Sequence, residues 1–171
     1  LSSIEIATRS VGGVAWKTQA LGSLALSMRS SVTDGLMGQS ECLSHLHASI
    51  VVAAGEDGVV LTPMRLKDLV DDVVRSGLVQ LTPDRRFYRF EHEVFEQFYL
   101  ACHLVTDPDG RDLIIDLANH PDEIFDHTWQ QAMRLWAARE TNVEQVIVEL
   151  ALASDDAFFH CNLVLAINLL T

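Results

Sequence analysis

The fold of this chain is decided by residues 88–101, Tyr88-Arg89-Phe90-Glu91-His92-Glu93-Val94-Phe95-Glu96-Gln97-Phe98-Tyr99-Leu100-Ala101. The first residues of the stretch suit a short strand, and the apolar positions from Phe95 onward recur at helical spacing. One histidine, His92, stands between the two patterns. The sequence therefore predicts a strand that leads directly into an amphipathic helix, with an imidazole at the helix start.

Another helix and a hairpin precede this stretch. The helix is indicated by apolar residues at helical spacing, namely Leu66, Leu69, Val70, Val73 and Val74. Gly77 is expected to end it, because glycine accepts the left-handed conformation at a helix C-terminus. Residues 78–81 and 87–90 then bracket the turn 82–86, as in a β-hairpin. Helix, hairpin and helix in this order predict a winged helix.

Two helices are predicted upstream of the winged-helix pattern. The first covers residues 16–28 and has one apolar face, formed by Trp16, Ala20, Leu21, Leu24 and Met28. The second covers residues 40–54, with an apolar face formed by Leu43, Leu46, Ile50 and Val51. Glycines at positions 55 and 58 end it, and the apolar residues 59–61 are predicted to add a short strand to the hairpin.

Only helices are predicted after the turn-rich stretch 106–110. They cover residues 113–118, 121–139, 143–153 and 157–171, and Thr141 with Glu144 suggests a capping box. Trp129, Met133 and Trp136 share one stripe, which is expected to pack between helix pairs rather than to line a partner groove. The fold class is therefore mainly α, with a winged-helix-like subdomain, a small β-hairpin and α-solenoid-like helix pairs.

The charge of the chain argues against nucleic acid as a partner. The 171 residues carry a net charge of −12. The predicted helix 65–76 carries more acidic than basic residues on its solvent face, counted as Asp68, Asp71 and Asp72 against Lys67 and Arg75. DNA affinity rests on neutralising phosphates, so the sequence predicts no DNA binding despite three arginines at 85–89.

The cysteines and the apolar runs bear on the compartment. Cys42, Cys102 and Cys161 are odd in number and widely spaced inside helical patterns, which favours reduced thiols and a cytoplasmic protein. Asn162 and Asn168 interrupt the longest apolar run, so no membrane partner is expected. That last helix is apolar nearly all round, which suggests that the chain is part of a longer protein.

No catalytic or metal site is predicted in this chain. Residues 12–18 have the look of a phosphate-binding loop, but Trp16 stands where a small residue is required. Cys42, His45 and His47 do not share one helical face, and the two histidines are expected to be ordinary surface residues rather than zinc ligands. Serine, histidine and carboxylate also lack a recognisable catalytic spacing. A coupling or binding role is therefore favoured.

The winged-helix stretch resembles the subdomain that closes the NACHT module of STAND NTPases. That family has a Phe-x-His-x-Ser/Thr-Phe-Gln-Glu-Tyr/Phe-x-Ala-Ala helix after its hairpin. The matching residues are Gly77 and Leu78 at the lead-in, then Phe90, His92, Phe95, Phe98 and Ala101. The chain departs from the pattern at Val94, at Glu96-Gln97, which reverses the family order, and at Leu100.

The resemblance implies a division of the chain and a role for one residue. Residues 1–32 would be a helical lead-in from the NTPase module, 33–105 the winged helix, and 106–171 the start of a helical-repeat sensor. His92 would contact the β-phosphate of ADP and hold the closed state. The full-length parent would be an ATPase that binds ADP or ATP, while this chain alone would be no enzyme and would bind neither.

The implied partners are the missing nucleotide-binding half of the same chain, further copies on activation, and a trigger ligand on the helical repeats. By resemblance, such proteins serve immune-type signalling, often antiviral in bacteria. Two alternatives stay open: a winged-helix transcription regulator with a helical ligand domain, and a non-catalytic helical scaffold. In either of these, His92 would simply cap its helix and pack on the hairpin.

Overall fold

The computed structural model describes residues 3–31, 35–117, 126–152 and 167. Within these ranges the chain has seven helices and one small antiparallel sheet, which confirms the predicted mainly α fold class. The chain divides into two compact units, Leu1–Tyr99 and Leu100–Thr171. No described helix is both long and apolar enough to cross a bilayer.

The first unit has the element order of a winged helix. Its elements are α1 (Ser3–Arg29), β1 (Met37–Gly38), α2 (Gln39–Glu56), α3 (Pro63–Arg75), β2 (Val79–Leu81), β3 (Phe87–Phe90) and the start of α4 (Glu93–Thr106). The strand order is β1-β3-β2, with both pairs antiparallel. Tyr88 of β3 lies opposite both Met37 and Leu81, so β3 is the central strand.

Local signals set the boundaries of α3 and of the hairpin. The Thr62 hydroxyl accepts a hydrogen bond from the Arg65 N–H, and Pro63 occupies the first turn, where its missing N–H costs nothing. Gly77 has φ +76° just after the helix, which confirms its predicted role. In the turn, the Thr82 N–H donates to the Phe87 carbonyl at 2.8 Å.

The core of the first unit forms where α1 packs on α2. All five residues of the predicted α1 face are buried, which confirms that prediction. The buried face of α2 differs from the predicted one: it consists of Cys42, Leu46, Ile50, Ala53 and Ala54. Val51 is 48% exposed instead. Ala53 and Ala54 therefore lie on the buried side of α2, and Val51 lies toward solvent.

The predicted strand 59–61 is wrong. Gly58 has φ +68°, and the Val59 N–H donates to the Ala54 carbonyl at 2.8 Å, so the chain reverses directly after α2. Residues 59–61 then serve as a connection to α3, and Val60 is 95% exposed. The strand beside β3 is instead β1, which has only two residues. Such a short segment gives no periodic signal.

In the described residues of the second unit, α4 continues from Leu100 and is followed by α5 (Gly110–Asp116), α6 (His127–Ala137) and α7 (Val143–Leu152). The prediction placed one helix over 121–139, but Asp126 has extended backbone and its carboxylate accepts from the Trp129 N–H, so α6 begins at His127. The apolar stripe with Trp129 and Trp136 is buried, as expected. The predicted helix 157–171 lies outside the described residues, apart from Ile167.

The predicted capping box at Thr141 is one residue out of register. α7 begins at Val143, and the Asn142 carbonyl accepts from the Gln145 and Val146 N–H groups. The Thr141 hydroxyl donates to Glu140 at 3.4 Å, and the same carboxylate accepts from the Asn142 N–H. Within this unit α5 packs against α7, and Arg111 pairs with Glu149.

Candidate functional site

The hairpin and α4 together fix the position of His92. β3 ends at Phe90, and the Glu91 N–H donates to the Leu78 carbonyl at 2.9 Å, which extends the hairpin by one bond. The His92 carbonyl accepts from the Phe95 N–H at 3.0 Å and from the Glu96 N–H at 3.5 Å. His92 therefore begins the first turn of α4, as predicted, and its side chain is exposed.

The imidazole of His92 is accessible and rests on an aromatic ring. Its centroid lies 5.5 Å from that of Phe95, and the two rings are tilted by 52°. Among the described residues, no side chain makes a hydrogen bond to its ring nitrogens. An exposed N–H group at a helix N-terminus can donate to an anion, and the helix dipole favours negative charge there.

Two of the glutamates near His92 are held by other side chains. Glu93 accepts a hydrogen bond from the Gln97 amide at 3.1 Å, one turn further along α4. Glu96 is buried and lies 3.9 Å from the Arg29 guanidinium of α1. Glu91, which the sequence also places beside His92, is half-buried. The carboxylates at positions 93 and 96 are therefore directed toward protein groups.

The other residues of the family pattern divide into buried and exposed ones. Phe90 and Ala101 are buried, whereas Phe95 is half-buried and Phe98 is 38% exposed. The centroid of the Tyr99 ring lies 6.2 Å from that of Phe90 and 5.2 Å from that of Phe98. The burial of Glu96 and Gln97 was not predicted from the sequence. Apolar periodicity assigns the core to the phenylalanines, and it cannot indicate a buried ion pair.

A second polar cluster joins α1 to α2. The hydroxyl of Ser23 lies 3.0 Å from His45 Nε2, and Ser49 donates to Ser23 at 3.4 Å. His45 is half-buried, so the prediction of a surface histidine was wrong for this residue, whereas His47 is exposed. Burial lowers the pKa of His45, and the contact with Ser23 and the charge of Glu41 oppose that shift in part.

The pKa of His45 predicts a pH dependence of stability. Because burial disfavours the charged imidazole, the unfolded chain binds a proton below pH 6.5 more readily than the folded chain does. We expect the free energy of unfolding, measured with urea, to fall as the pH drops from 7.5 through 6.5. His45→Gln should remove that part of the fall, and His47→Gln should keep it. Equal pH profiles for the wild type and His45→Gln would contradict the prediction.

Two other sequence features have structural roles. Residues 12–18 are part of the continuous helix α1, so they do not form a phosphate loop, and the helix predicted for residues 16–28 begins earlier, at Ser3. The Trp16 indole N–H donates to Asp57 at 2.6 Å, which ties α1 to the end of α2. Cys42 is buried, and burial raises its pKa to about 12, so its thiol is unreactive near neutral pH.

The described residues contain no group of three histidine, cysteine or acidic side chains placed to hold a metal ion. Cys42 points into the core, His45 contacts α1 and His47 faces solvent, so this trio is dispersed over α2. Cys102 is also buried, and its sulfur accepts a hydrogen bond from Arg139 at 3.1 Å.

Lys17 of α1 adds one cation to the charges that the sequence assigns to the solvent face of α3. Asp72 pairs with Lys17 of α1 at 2.9 Å, and this hydrogen bond lowers the pKa of Asp72. Asp71 lies 3.5 Å from Lys67 and 3.4 Å from Arg75. Lys67 and Arg75 are already counted in the electrostatic argument, and Asp68 is exposed, so the face keeps its three carboxylates.

Comparison with known proteins leaves the candidate site to be judged on its own geometry. No protein-family model matches the chain, no curated protein matches it, and no solved structure matches it. The feature that bears most directly on function is thus the exposed His92. It follows the hairpin of a unit with winged-helix topology.

Proposed function

We propose that this chain is the coupling part of a NACHT-type STAND NTPase, in which the winged-helix unit holds an ADP-bound closed state. The placement of His92 carries the proposal: its ring is exposed at the start of α4, directly after the hairpin. A ring N–H and a helix start both favour a phosphate ligand. In this proposal the nucleotide is ADP or ATP bound by the missing half of the parent ATPase, and the chain itself catalyses nothing.

The remaining helices would connect that site to a trigger. Residues 106–171 would open a helical-repeat sensor, and ligand binding there would shift the balance from the closed state toward an open, self-assembling state. The two described cysteines are free and buried, which suits a reducing cytoplasm. Immune-type signalling is the setting that the sequence resemblance implies.

His92→Ala in the full-length protein tests this function. The substitution removes a hydrogen bond to phosphate that exists only in the closed state, worth about 1.5–3 kcal/mol. The balance should therefore move toward the active assembly by roughly tenfold or more. Native mass spectrometry of the purified protein would measure retained ADP and the assembled fraction without trigger.

His47→Ala is the matched control, because it removes another exposed histidine of the same unit. It should retain ADP as the wild type does. Thermal melts of both variants should match the wild type, since neither substitution opens a cavity. If His92→Ala keeps its ADP and stays closed, or if it loses stability instead, His92 is a structural residue and the proposal fails.

A further inference from the structure

The solvent side of α2 is uncharged and largely apolar. Residues 42–55 include no aspartate, glutamate, lysine or arginine, although charged residues make up 21% of the chain. A helix side that faces water normally carries charged residues. Val51 and Val52 are instead 48% and 59% exposed. With four neighbours they line a shallow groove, which we call the α2 groove: Leu43, Ser44, His47, Ala48, Val51 and Val52. Its composition is that of a docking face.

Two arginines of the hairpin lie at the N-terminal end of the α2 groove. The Gln39 N–H donates to the Arg86 carbonyl at 3.1 Å, and both Arg85 and Arg86 line a cleft that begins at the groove. Their side chains are exposed, and neither guanidinium is in an ion pair among the described residues. Glu41 lines the same cleft, whereas Asp84 lies outside it and accepts from the Arg86 N–H at 3.2 Å. Two cations therefore stand against one carboxylate in this cleft.

The C-terminal end of the α2 groove is acidic. Glu56 follows Val52 by one helical turn, so it continues the same side of α2, and it is exposed. Its carboxylate accepts a hydrogen bond from the Gln19 amide at 2.9 Å. Asp57 comes next and accepts from the Trp16 indole N–H at 2.6 Å. Both of these donors are neutral, so neither contact compensates the negative charge at this end.

From these features we infer that the α2 groove binds the α2 groove of a second copy of this chain, with the two helices antiparallel. α2 covers Gln39–Glu56, so its midpoint lies between His47 and Ala48, which is also the centre of the groove. A two-fold axis at that point places Leu43 opposite the partner's Val52. Every other residue of the groove likewise meets one of the partner's groove, as a self-complementary interface requires.

The charges at the two ends favour a second copy over another occupant. The two-fold arrangement brings Glu56 to the partner's Arg86, and it does so at both ends of the interface. Antiparallel helices also bring the N-terminus of one α2, with its positive dipole end, to the C-terminus of the other. Chains with a net charge of −12 repel one another, and an uncharged groove with oppositely charged ends is suited to overcome that repulsion.

The pairing requires neither nucleotide nor trigger, so it is separate from the assembly that the proposed function includes. One helix from each copy makes a small interface, and small interfaces are typically weak. We therefore expect a dimer with a dissociation constant in the micromolar range.

Sedimentation velocity of the 171-residue chain over a series of concentrations tests the inference. The variant Val51→Glu/Val52→Glu would place four carboxylates between the paired grooves, so its dissociation constant should rise about a hundredfold or more. Both positions are exposed, and circular dichroism should show that the variant is folded. The control is Val148→Glu/Leu152→Glu, which changes the net charge equally at two exposed positions of α7 and should dimerise like the wild type.

A charge exchange tests the antiparallel arrangement itself. Arg86→Glu would face the partner's Glu56, and Glu56→Arg would face the partner's Arg86, so each variant alone should dimerise about tenfold more weakly. In an equimolar mixture of the two variants, both ends of a mixed dimer again join a glutamate to an arginine. The mixture should therefore dimerise nearly as tightly as the wild type.

Four results would overturn the inference. The wild type could remain monomeric at the highest concentration, or the valine variant could dimerise as tightly as the wild type. The α7 control could lose as much affinity as the valine variant, in which case net charge alone weakens association. Finally, the mixture of Arg86→Glu and Glu56→Arg could dimerise no more tightly than either variant alone.

Discussion

Replacing Arg29 with methionine is expected to lower the free energy of unfolding by about 3 kcal/mol. Arg29 and Glu96 are each 11% exposed, and their charged atoms lie 3.9 Å apart. Methionine fills most of the same space but removes the cation, so the buried carboxylate of Glu96 loses its opposite charge. Breaking a buried pair costs far more than the pair contributes, because the remaining ion stays in a poorly solvated site. Urea unfolding followed by circular dichroism would measure the loss.

Lys17→Met provides the matched comparison, since it removes another cation from α1. Lys17 and Asp72 are 30% and 51% exposed, so water screens their attraction and the loss should stay below about 1 kcal/mol. Arg29→Met/Glu96→Leu should recover much of the stability that Arg29→Met loses, because no charge is then left buried. Equal losses in Arg29→Met and Lys17→Met would show that the Glu96 site is solvated.

The Arg29–Glu96 pair also matters for interpreting His92. Glu96 lies one turn after His92 on α4, and its partner lies at the end of α1. A variant that disturbs this pair would move the helix start that presents the imidazole. A loss of bound ADP in His92→Ala therefore supports the ADP contact only if the free energy of unfolding is unchanged. Arg29→Met, by contrast, should change both the bound ADP and the free energy of unfolding.

Local signals in the sequence were sufficient to predict much of the winged-helix unit. Gly77, the turn 82–86 and the strand 87–90 could be read from the sequence because each depends on residues close to it in the chain. The buried face of α1 could be predicted because its apolar residues form one continuous stripe along the helix, and that stripe is the side that packs into the core. The start of α4, and hence the place of His92, followed from the change of period between strand and helix.

Contacts between distant residues were not predictable in this way. Arg29 and Glu96 are 67 positions apart, and no pattern in either neighbourhood indicates the other. The pairing of Lys17 with Asp72 spans 55 positions, and it altered the electrostatic argument about α3. The burial of His45 against Ser23 likewise depends on which face of α2 packs on α1, and the apolar periodicity of α2 predicted a different face.

Gly110→Ala is expected to lower the free energy of unfolding by about 3 kcal/mol or more. The turn after α4 is tight: the Asp107 N–H donates to the His103 carbonyl at 2.8 Å, and the Gly110 N–H donates to the Asp107 carbonyl at 3.0 Å. It places Gly110 against the Leu104 backbone, where an added Cβ would lie 2.1 Å from the carbonyl oxygen and 2.9 Å from the carbonyl carbon. Because these atoms are backbone, no side-chain rotation relieves the clash, and α5 must shift relative to α4.

Gly55→Ala is the control for this substitution, and its effect should have the opposite sign. Gly55 lies in the last turn of α2, and an added Cβ there meets no atom within 4 Å. Alanine is the better helix former by about 0.5–1 kcal/mol, so this variant should be slightly more stable than the wild type. Urea unfolding followed by tryptophan fluorescence reports on both units, since Trp129 and Trp136 are buried in α6 and Trp16 is buried in α1. If Gly110→Ala unfolds at the wild-type urea concentration, the close approach of Gly110 to Leu104 does not exist in solution.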